Sequence, residues 1–254
     1  MKEPKAMAYV NMYGVLACLE NLCEIDDEAK AVVGSLKKPV SLCFEVANGP
    51  CCTFHFSKDG CTISEGSYGC TCKMNFASPE KFNALIDNNK PGMPTKNVAQ
   101  VLSFLLGPFT KLTNRLTELL MPSEENLKNR EFFEESTILT FYTIAGALSA
   151  LANHDSVAKH SAFYTVDGDI QMGITDVCYA TLRVRNHTFE TIKEKPDTPR
   201  AIMEFKTIDL ANALFNGTAS TMAELCAGNI YMSGMINMID NVNRILDRVG
   251  MYLG

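Results

Sequence analysis

The sequence predicts an α+β protein made of two tandem repeats, each a twisted, mainly antiparallel sheet of four to five strands covered by helices. Three observations lead to this prediction. A stretch near the C-terminal end has a copy earlier in the chain, short strand-like segments are separated by turn signals, and apolar helical segments flank them. The chain has 254 residues, of which 46% are hydrophobic and 20% are charged, enough to bury two ordinary cores.

The repeat is clearest in residues 203–217, MEFKTIDLANALFNG, which align without a gap with residues 74–88, MNFASPEKFNALIDN. The copies lie 129 residues apart (203 − 74 = 129) and share Met, Phe, Asn, Ala and Leu. Each copy is typical of a strand end followed by a Ser or Thr N-cap and a short helix. The match predicts two domains, residues 1–125 and residues 126–254.

The first repeat begins with an apolar helix over residues 6–23, after Pro4, which suits a first helical turn. Four strands follow, and tight turn signals between them favour antiparallel pairing. The predicted strands are residues 40–47, 51–57, 61–65 and 70–76. Helices are predicted over residues 79–87, 97–106 and 109–120, with a break at Gly107-Pro108.

The second repeat follows a charged connector, residues 124–135, and has the same order of elements. The predicted elements are helix 136–153, strands 169–175, 179–185, 189–193 and 200–205, helix 208–215, residues 220–227, the run 228–234 and a long helix 235–252. The long helix has an apolar stripe of Ile236, Ile239, Val242, Ile245, Leu246 and Val249, a spacing typical of a helix on a core. Segment 136–153 carries no charge over 18 residues, but its Ser and Thr content favours a packed helix over a membrane span.

Composition and charge exclude some functions. The formal net charge is −6, which disfavours nucleic acid as a partner and general attraction to anionic membranes. The first residues lack the layout of a secretory signal, so we expect a cytoplasmic protein whose ten cysteines stay reduced.

The reactive side chains form no recognisable catalytic or metal motif. Cys70 and Cys72, on one predicted strand, would present both thiols on one face. A zinc site with Cys51 or Cys61 is one interpretation, but packing as small hydrophobes is favoured, because no C-x-x-C pairs occur. The histidines lack metal-ligand spacing, and no nucleophile elbow or phosphate-binding loop is present. We therefore expect no metal, no cofactor and no enzymatic activity.

The C-terminal part of the second repeat carries a family pattern. Strand AIMEF and helix TIDLANALFNG precede TMAELCAGNIYMSGMINMIDNVNRILDRV, in which a helix ends at Gly228 and a short strand and Gly234 lead into an apolar helix. This stretch resembles the sterol carrier protein type 2 domain family. The first repeat resembles the family more weakly, through the internal repeat, and departs where residues 98–106 replace the Gly–strand–Gly element.

The resemblance implies two such domains in tandem, the first degenerate in its C-terminal part. It also implies a five-stranded sheet covered by helices around an apolar tunnel that holds lipids, fatty acyl chains or sterols. Independently, the chain has 13 Met residues, and flexible Met side chains can repack around varied apolar ligands. The alternative is that these residues simply fill a core. The candidate ligand-binding residues are Phe205, Leu214, Phe215, Met222, Leu225, Met235, Met238, Ile239 and Val242.

The leading hypothesis is therefore non-enzymatic binding or transport of a fatty acyl lipid or sterol-like molecule in a hydrophobic tunnel of the second repeat. An alternative is a structural or interaction protein with solidly packed cores, in which the apolar helices 7–23 and 136–153 form an inter-unit or dimer interface. A third is an accessory module that presents hydrophobic intermediates to a partner enzyme. The expected partner is an apolar small molecule or lipid, and transient membrane contact and homodimerisation are left open.

Overall fold

The computed structural model describes residues 2–87 and 98–254, and the chain divides into two compact units, Met1–Glu135 and Ser136–Gly254. Each unit contains one sheet with helices packed against it, which confirms the predicted α+β class. The repeat boundary between residues 125 and 126 stays a prediction. Among the described residues, no helix is both long and apolar enough to cross a bilayer.

The first unit begins and ends with helices and has its strands between them. Its opening segments are α1 (Pro4–Tyr9), a π-helical stretch (Val10–Leu16), α2 (Cys18–Ile25) and α3 (Asp27–Gly34). Its strands are β1 (Val40–Val46), β2 (Cys51–Ser57), β3 (Gly60–Glu65) and β4 (Cys72–Phe76). Its later segments are α4 (Pro79–Asp87), α5 (Val98–Phe104), a second π-helical stretch (Leu105–Phe109) and α6 (Thr110–Leu120). The start of the helix predicted over residues 97–106 lies outside the described residues.

The sheet of the first unit has the order β3-β2-β1-β4. Strands β1, β2 and β3 form an antiparallel meander, whereas β4 pairs with β1 in parallel. Asn48 has a positive φ of 58° in the turn between β1 and β2, a conformation that Asn tolerates better than most residues. Alternation along β1 places Leu42 and Phe44 in the core.

The second unit repeats this order of elements and adds a strand. Its segments are α7 (Arg130–His154, which starts in the first unit), α8 (Ala158–Tyr164), β5 (Gly168–Ile174), β6 (Cys178–Arg185), β7 (Thr188–Ile192), β8 (Ala201–Phe205), α9 (Ile208–Phe215), α10 (Thr221–Cys226), β9 (Ile230–Gly234) and α11 (Ile236–Leu253). The sheet has the order β7-β6-β5-β8-β9, with β5 and β8 parallel and the other neighbours antiparallel. Apart from β9, the two units therefore share one sheet topology.

The asparagine that the two copies share has the same role in both units. Asn83 of α4 donates through Nδ2 to the carbonyl oxygen of Pro4 at 2.9 Å and accepts a hydrogen bond from Asn11 at 3.0 Å. Asn212 of α9 donates to Thr137 Oγ1 at 2.9 Å. In each unit the asparagine joins the helix that follows the fourth strand to the first long helical segment.

A buried carboxylate connects two helices of the second unit. Asp155 is wholly buried, and its Oδ1 accepts a hydrogen bond from the Ala158 N–H of α8 at 2.8 Å. Arg248 of α11 donates through Nε to Oδ1 at 3.1 Å and through Nη2 to Oδ2 at 2.6 Å, and the Tyr252 hydroxyl donates to Oδ2 at 2.8 Å. Burial opposes ionisation, but the bonds from Arg248, Ala158 and Tyr252 hold the pKa of Asp155 below its ordinary value.

The first unit contains the matching pair, Asp26 and Arg115. Asp26, which lies 129 residues before Asp155 (155 − 26 = 129), is buried and accepts a hydrogen bond from the Ala29 N–H of α3 at 2.6 Å. Arg115 of α6 donates through Nε to Asp26 Oδ2 at 2.8 Å. In each unit, an ion pair thus attaches the start of a short helix to the helix near the unit's C-terminal end.

Arg115 is shared among several carboxylates. Besides Asp26, its guanidinium lies 3.1 Å from Glu118 Oε2 and 3.6 Å from Glu135 Oε2. Burial of Glu135, together with the negative charge of Asp26, raises the pKa of Glu135 to about 7, against the opposing effect of Arg115. One guanidinium therefore does not fully compensate this group of acids at neutral pH.

Replacing Arg248 tests the buried ion pair. Arg248→Ala leaves Asp155 buried without its cation, so the free energy of unfolding of the second unit should fall by about 3 kcal/mol or more. Arg244→Ala, on the same helix, removes an exposed pair with Asp240 at 3.1 Å and should cost about 0.5 kcal/mol or less. Chemical denaturation measures both variants, and equal losses would contradict the assigned role of Arg248.

Glu135 predicts a pH dependence with a definite sign. Its pKa is about 7 in the fold against an ordinary value of 4.5, so the folded state keeps a proton that the unfolded state releases. This group therefore lowers stability as pH rises through that interval. Glu135→Gln should be more stable than the parent by roughly 1–3 kcal/mol at pH 8 and nearly equal to it at pH 4. Denaturation across pH measures this, with Glu134→Gln, at the half-buried neighbouring residue that pairs with Arg130, as control. Parallel curves for Glu135→Gln and the parent would refute the prediction.

Candidate functional site

The second unit has an open apolar hollow beside its edge strand β9. The hollow has a volume of about 450 Å³ and is open to solvent. We call it the β9 hollow, and its lining residues are Met232, Ser233, Gly234, Ile236, Ile239, Asp240 and Asn243. Three of these are large apolar side chains that keep contact with solvent, and Ile236 is 80% exposed.

Helix α11 presents one face to the hollow and another to the core. Residues 236, 239, 240 and 243 follow the spacing i, i+3, i+4, i+7 of a single helix face. Met238, Val242 and Ile245 lie on the other side and are wholly buried. The long helix therefore serves the core and the hollow at once.

Gly234 sets the sharp passage from β9 into α11. Its φ is +90°, and a Cβ at this position would lie 2.2 Å from the carbonyl oxygen of Arg200. That same oxygen accepts a hydrogen bond from the Met235 N–H at 2.9 Å. Only glycine allows the backbone to come this close to β8, and the turn brings β9 and α11 together as adjacent walls of the hollow.

Helix α10 lies next to β9 and has no buried residue. Its start is capped by Ser220, whose Oγ accepts a hydrogen bond from the Ala223 N–H at 3.4 Å, and Asn229 donates to Glu224 Oε2 at 2.7 Å. Met222 is 68% exposed. Hydrogen bonds with the flanking residues thus hold α10, while its apolar side chains face solvent.

The nine residues predicted to bind the ligand do not form one common wall in the structure. Ile239 lines the β9 hollow, whereas Met238 and Val242 are wholly buried in the core. The half-buried members are Phe205, Leu214, Phe215 and Met235. The exposed members are Met222 and Leu225. Phe205 and Phe215 meet edge to face, with ring centroids 5.6 Å apart.

The other residues of the hollow are absent from the predicted ligand-binding set. They are Met232, Ser233, Gly234, Ile236, Asp240 and Asn243. The helical spacing of residues 236, 239, 240 and 243 was a usable signal, but the predicted stripe of this helix contained only apolar residues. The predicted stripe also included Ile236, which in the structure lies outside the core.

The first unit fills its core with aromatic rings. Phe44 contacts four other rings, those of Phe54, Phe76, Phe82 and Phe109, at centroid distances of 5.5 to 6.4 Å. Phe104 of α5 lies 5.2 Å from Phe56. Segments after α4 therefore contribute aromatic rings to the core of the first unit. In the second unit, α10 and β9 take the corresponding place in the order of elements.

Register shows which residues of the second unit occupy the matching sheet positions. Leu42 pairs with Phe54 and Cys72, and Ile170 pairs with Leu182 and Ala201. By this register, Phe44 of β1 corresponds to Met172 of β5. On the neighbouring strand, Phe54 and Phe56 of β2 correspond to Leu182 and Val184 of β6. On the helices, Phe82 matches Ala211 at the repeat offset. The second unit thus carries smaller side chains at four positions where the first has rings.

The described residues contain no cluster of metal-binding side chains. Across residues 2–87 and 98–254, no group of three or more His, Cys, Asp and Glu side chains is placed to hold a metal ion. The expectation that Cys70 and Cys72 share a strand face is wrong, because β4 begins at Cys72 and Cys70 lies in the preceding loop. Cys72 is buried in the core.

Comparison with known proteins adds a weak structural likeness. No protein-family model matches this sequence, and no curated protein sequence matches it significantly. Among solved structures, the chain is similar to sterol carrier protein 2 like 2 from Aedes aegypti, at 15% sequence identity and a TM-score of 0.31. The alignment covers 40% of this chain and 92% of that one. A TM-score this low carries no weight for function.

Two glycines of the second unit make a matched test of the β9–α11 turn. Gly228 and Gly234 both have positive φ, but a Cβ on Gly228 would meet nothing within 4 Å. Gly228→Ala should therefore cost only the backbone strain, about 1–2 kcal/mol. Gly234→Ala adds a collision with β8 and should cost distinctly more, about 3 kcal/mol or above. Chemical denaturation measures both, and equal losses would show that the close approach to Arg200 is unimportant.

Proposed function

We propose that the second unit binds an apolar ligand of the fatty acyl or sterol-like class at the β9 hollow, and that the protein is a carrier and not an enzyme. The observation that carries this proposal is the hollow itself, in which Met232, Ile236 and Ile239 hold apolar surface open to solvent. Exposed apolar surface beside a concave site is typical of binding sites. Cytoplasmic location remains part of the same proposal.

The chemistry of the walls suits a flexible aliphatic or sterol-like molecule. Met232 can repack around ligands of different shape, since its side chain is unbranched and polarisable. Each ligand CH₂ buried against such walls contributes about 0.8 kcal/mol. The volume of about 450 Å³ lies within the range of small-molecule sites.

The polar residues of the hollow restrict the polar end of the ligand. Asp240 is one of the lining residues, and its carboxylate disfavours a free carboxylate nearby. Ser233 and Asn243 can exchange hydrogen bonds with a neutral group. An acyl ester or a sterol-type hydroxyl therefore suits the hollow better than an ionised fatty acid.

The asymmetry between the two units favours the second unit as the place of the ligand site. The first unit packs rings where the second has smaller side chains and the β9 hollow. The interaction-protein alternative depended on the apolar helices 7–23 and 136–153. Their large apolar side chains, such as Leu19, Leu22, Phe141 and Leu148, are buried, which leaves little apolar surface on them for a second copy.

A charge placed in the hollow tests the proposal. Ile236→Asp changes a side chain that is 80% exposed, so the fold should tolerate it, while apolar contact with the ligand is lost. We expect fluorescently labelled cholesterol and a fluorescently labelled acyl ester to bind the parent chain with near one-to-one stoichiometry. The variant should bind about tenfold or more weakly.

The matched control is Met121→Asp, a similarly exposed apolar residue (77%) of the first unit. It should bind both probes like the parent. Equal weakening by both substitutions, or saturable binding that Ile236→Asp leaves unchanged, would refute the assigned site. A labelled free fatty acid that binds more tightly than its ester would refute the inferred preference for a neutral polar end.

A further inference from the structure

Two cysteines of the first unit lie close together on adjacent strands. Cys43 of β1 is opposite Thr53 of β2, and Glu45 of β1 is opposite Cys51 of β2. The two cysteines are therefore diagonal neighbours on one face of the sheet. Their sulfur atoms are 3.9 Å apart, in contact but not bonded.

The two thiols differ in their access to solvent. Cys43 is wholly buried, whereas Cys51 is partly exposed and is the first residue of β2, directly after the turn. The next residue, Cys52, is wholly buried and pairs with Phe44 on the core face. Only Cys51 of these three offers a solute a partly accessible sulfur.

A lysine places positive charge beside the pair. Lys73 of β4 is opposite Cys43 in the parallel register and forms an ion pair with Glu45. Its ammonium interacts electrostatically with both Cys43 and Cys51. The thiolate is the reactive form of cysteine.

We propose that Cys43 and Cys51 form a thiol–disulfide exchange site that reacts with low-molecular-weight disulfides. In the first step, the Cys51 thiolate attacks one sulfur of the small disulfide, whose S–S bond breaks to release one thiolate. In the second step, the Cys43 sulfur attacks the mixed disulfide on Cys51 while its proton passes to solvent. The Cys43–Cys51 bond forms and the second small thiolate leaves, so the protein dithiol is oxidised and the small disulfide is reduced to two thiols.

The geometry assigns the order of the two steps. Burial raises the pKa of Cys43 to about 12, so Cys43 stays a protonated thiol until a partner sulfur is held next to it. A mixed disulfide on Cys51 supplies that partner within the sheet. The sulfurs must then approach by about 2 Å to reach bonding distance, and the position of Cys51 beside the β1–β2 turn makes it the more easily displaced of the two.

The assay treats the whole chain with oxidised glutathione at neutral pH, blocks remaining thiols with N-ethylmaleimide and digests the denatured protein. Trypsin leaves Cys43, Cys51 and Cys52 within one peptide, residues 38–58, and cleavage after Glu45 divides it into residues 38–45 and 46–58. We expect these two fragments to remain joined in the oxidised sample. Reduction before alkylation should separate them.

Neighbouring cysteines provide matched controls. Cys51→Ala should lower the joined fraction at least tenfold, whereas Cys52→Ala should retain it. Cys43→Ala should accumulate a single glutathione adduct on Cys51, because the resolving thiol is missing. Circular dichroism on each variant verifies folding, and the parent chain alone already tests whether the link forms.

Several results would overturn the proposal. One is that the fragments separate without reduction in the parent chain at millimolar oxidised glutathione. Another is a link that survives Cys51→Ala but is lost in Cys52→Ala. A third is that Cys43 is found joined to Cys70, which lies on a different tryptic peptide, residues 59–73.

Discussion

The buried aspartate–arginine pair is the interaction on which each unit depends most. In the second unit, Asp155 accepts hydrogen bonds from the start of α8 and from Arg248 and Tyr252 of α11. A carboxylate without these donors would be costly in the interior. The pair therefore fixes both the position of α11 along the core and its rotation about its own axis.

That rotation determines where the β9 hollow lies. With Arg248 and Tyr252 turned toward Asp155, the buried face of α11 runs through Val249, Ile245 and Val242. The face that carries Ile236, Ile239 and Asp240 is left beside β9. A rotation of about one residue, 100°, would bury these side chains and expose others. The candidate site is in this sense a consequence of an ion pair near the opposite end of the helix.

The elements that were predictable from the sequence are those whose structure local rules decide. Strand positions agree to within about two residues because alternation and turn signals act over short distances. The rotation of α11 could not be obtained in this way, since counting apolar residues takes no account of a buried carboxylate. At the repeat offset, Arg115 corresponds to Arg244 (244 − 115 = 129), but Arg244 forms an exposed pair with Asp240. The partner of Asp155 is Arg248, one helical turn further on.

The candidate site was partly predictable for a related reason. The sequence located the correct segments, but the assignment of Met238 and Val242 to the ligand wall assumed that the whole stripe faces one cavity. In the structure the stripe is divided, and polar residues such as Asp240 and Asn243 complete the hollow. The Cys43–Cys51 contact depends on strand register, which a residue pattern alone leaves open by two positions in either direction.

The two units differ in the segments that follow the fourth strand and its helix. In the first unit, α5 and the second π-helical stretch bring Phe104 and Phe109 onto a sheet already rich in phenylalanine, and rings this large fill the space between the layers. In the second unit, the corresponding part of the chain forms α10 and the fifth strand, β9, and α10 has no buried residue. Met172 and Ala211, which correspond to Phe44 and Phe82 of the first unit, also have smaller side chains than those rings. Two units with one topology can thus differ in their surfaces for a ligand, because the part of the chain after the fourth strand decides whether an edge strand such as β9 forms one wall of a surface hollow.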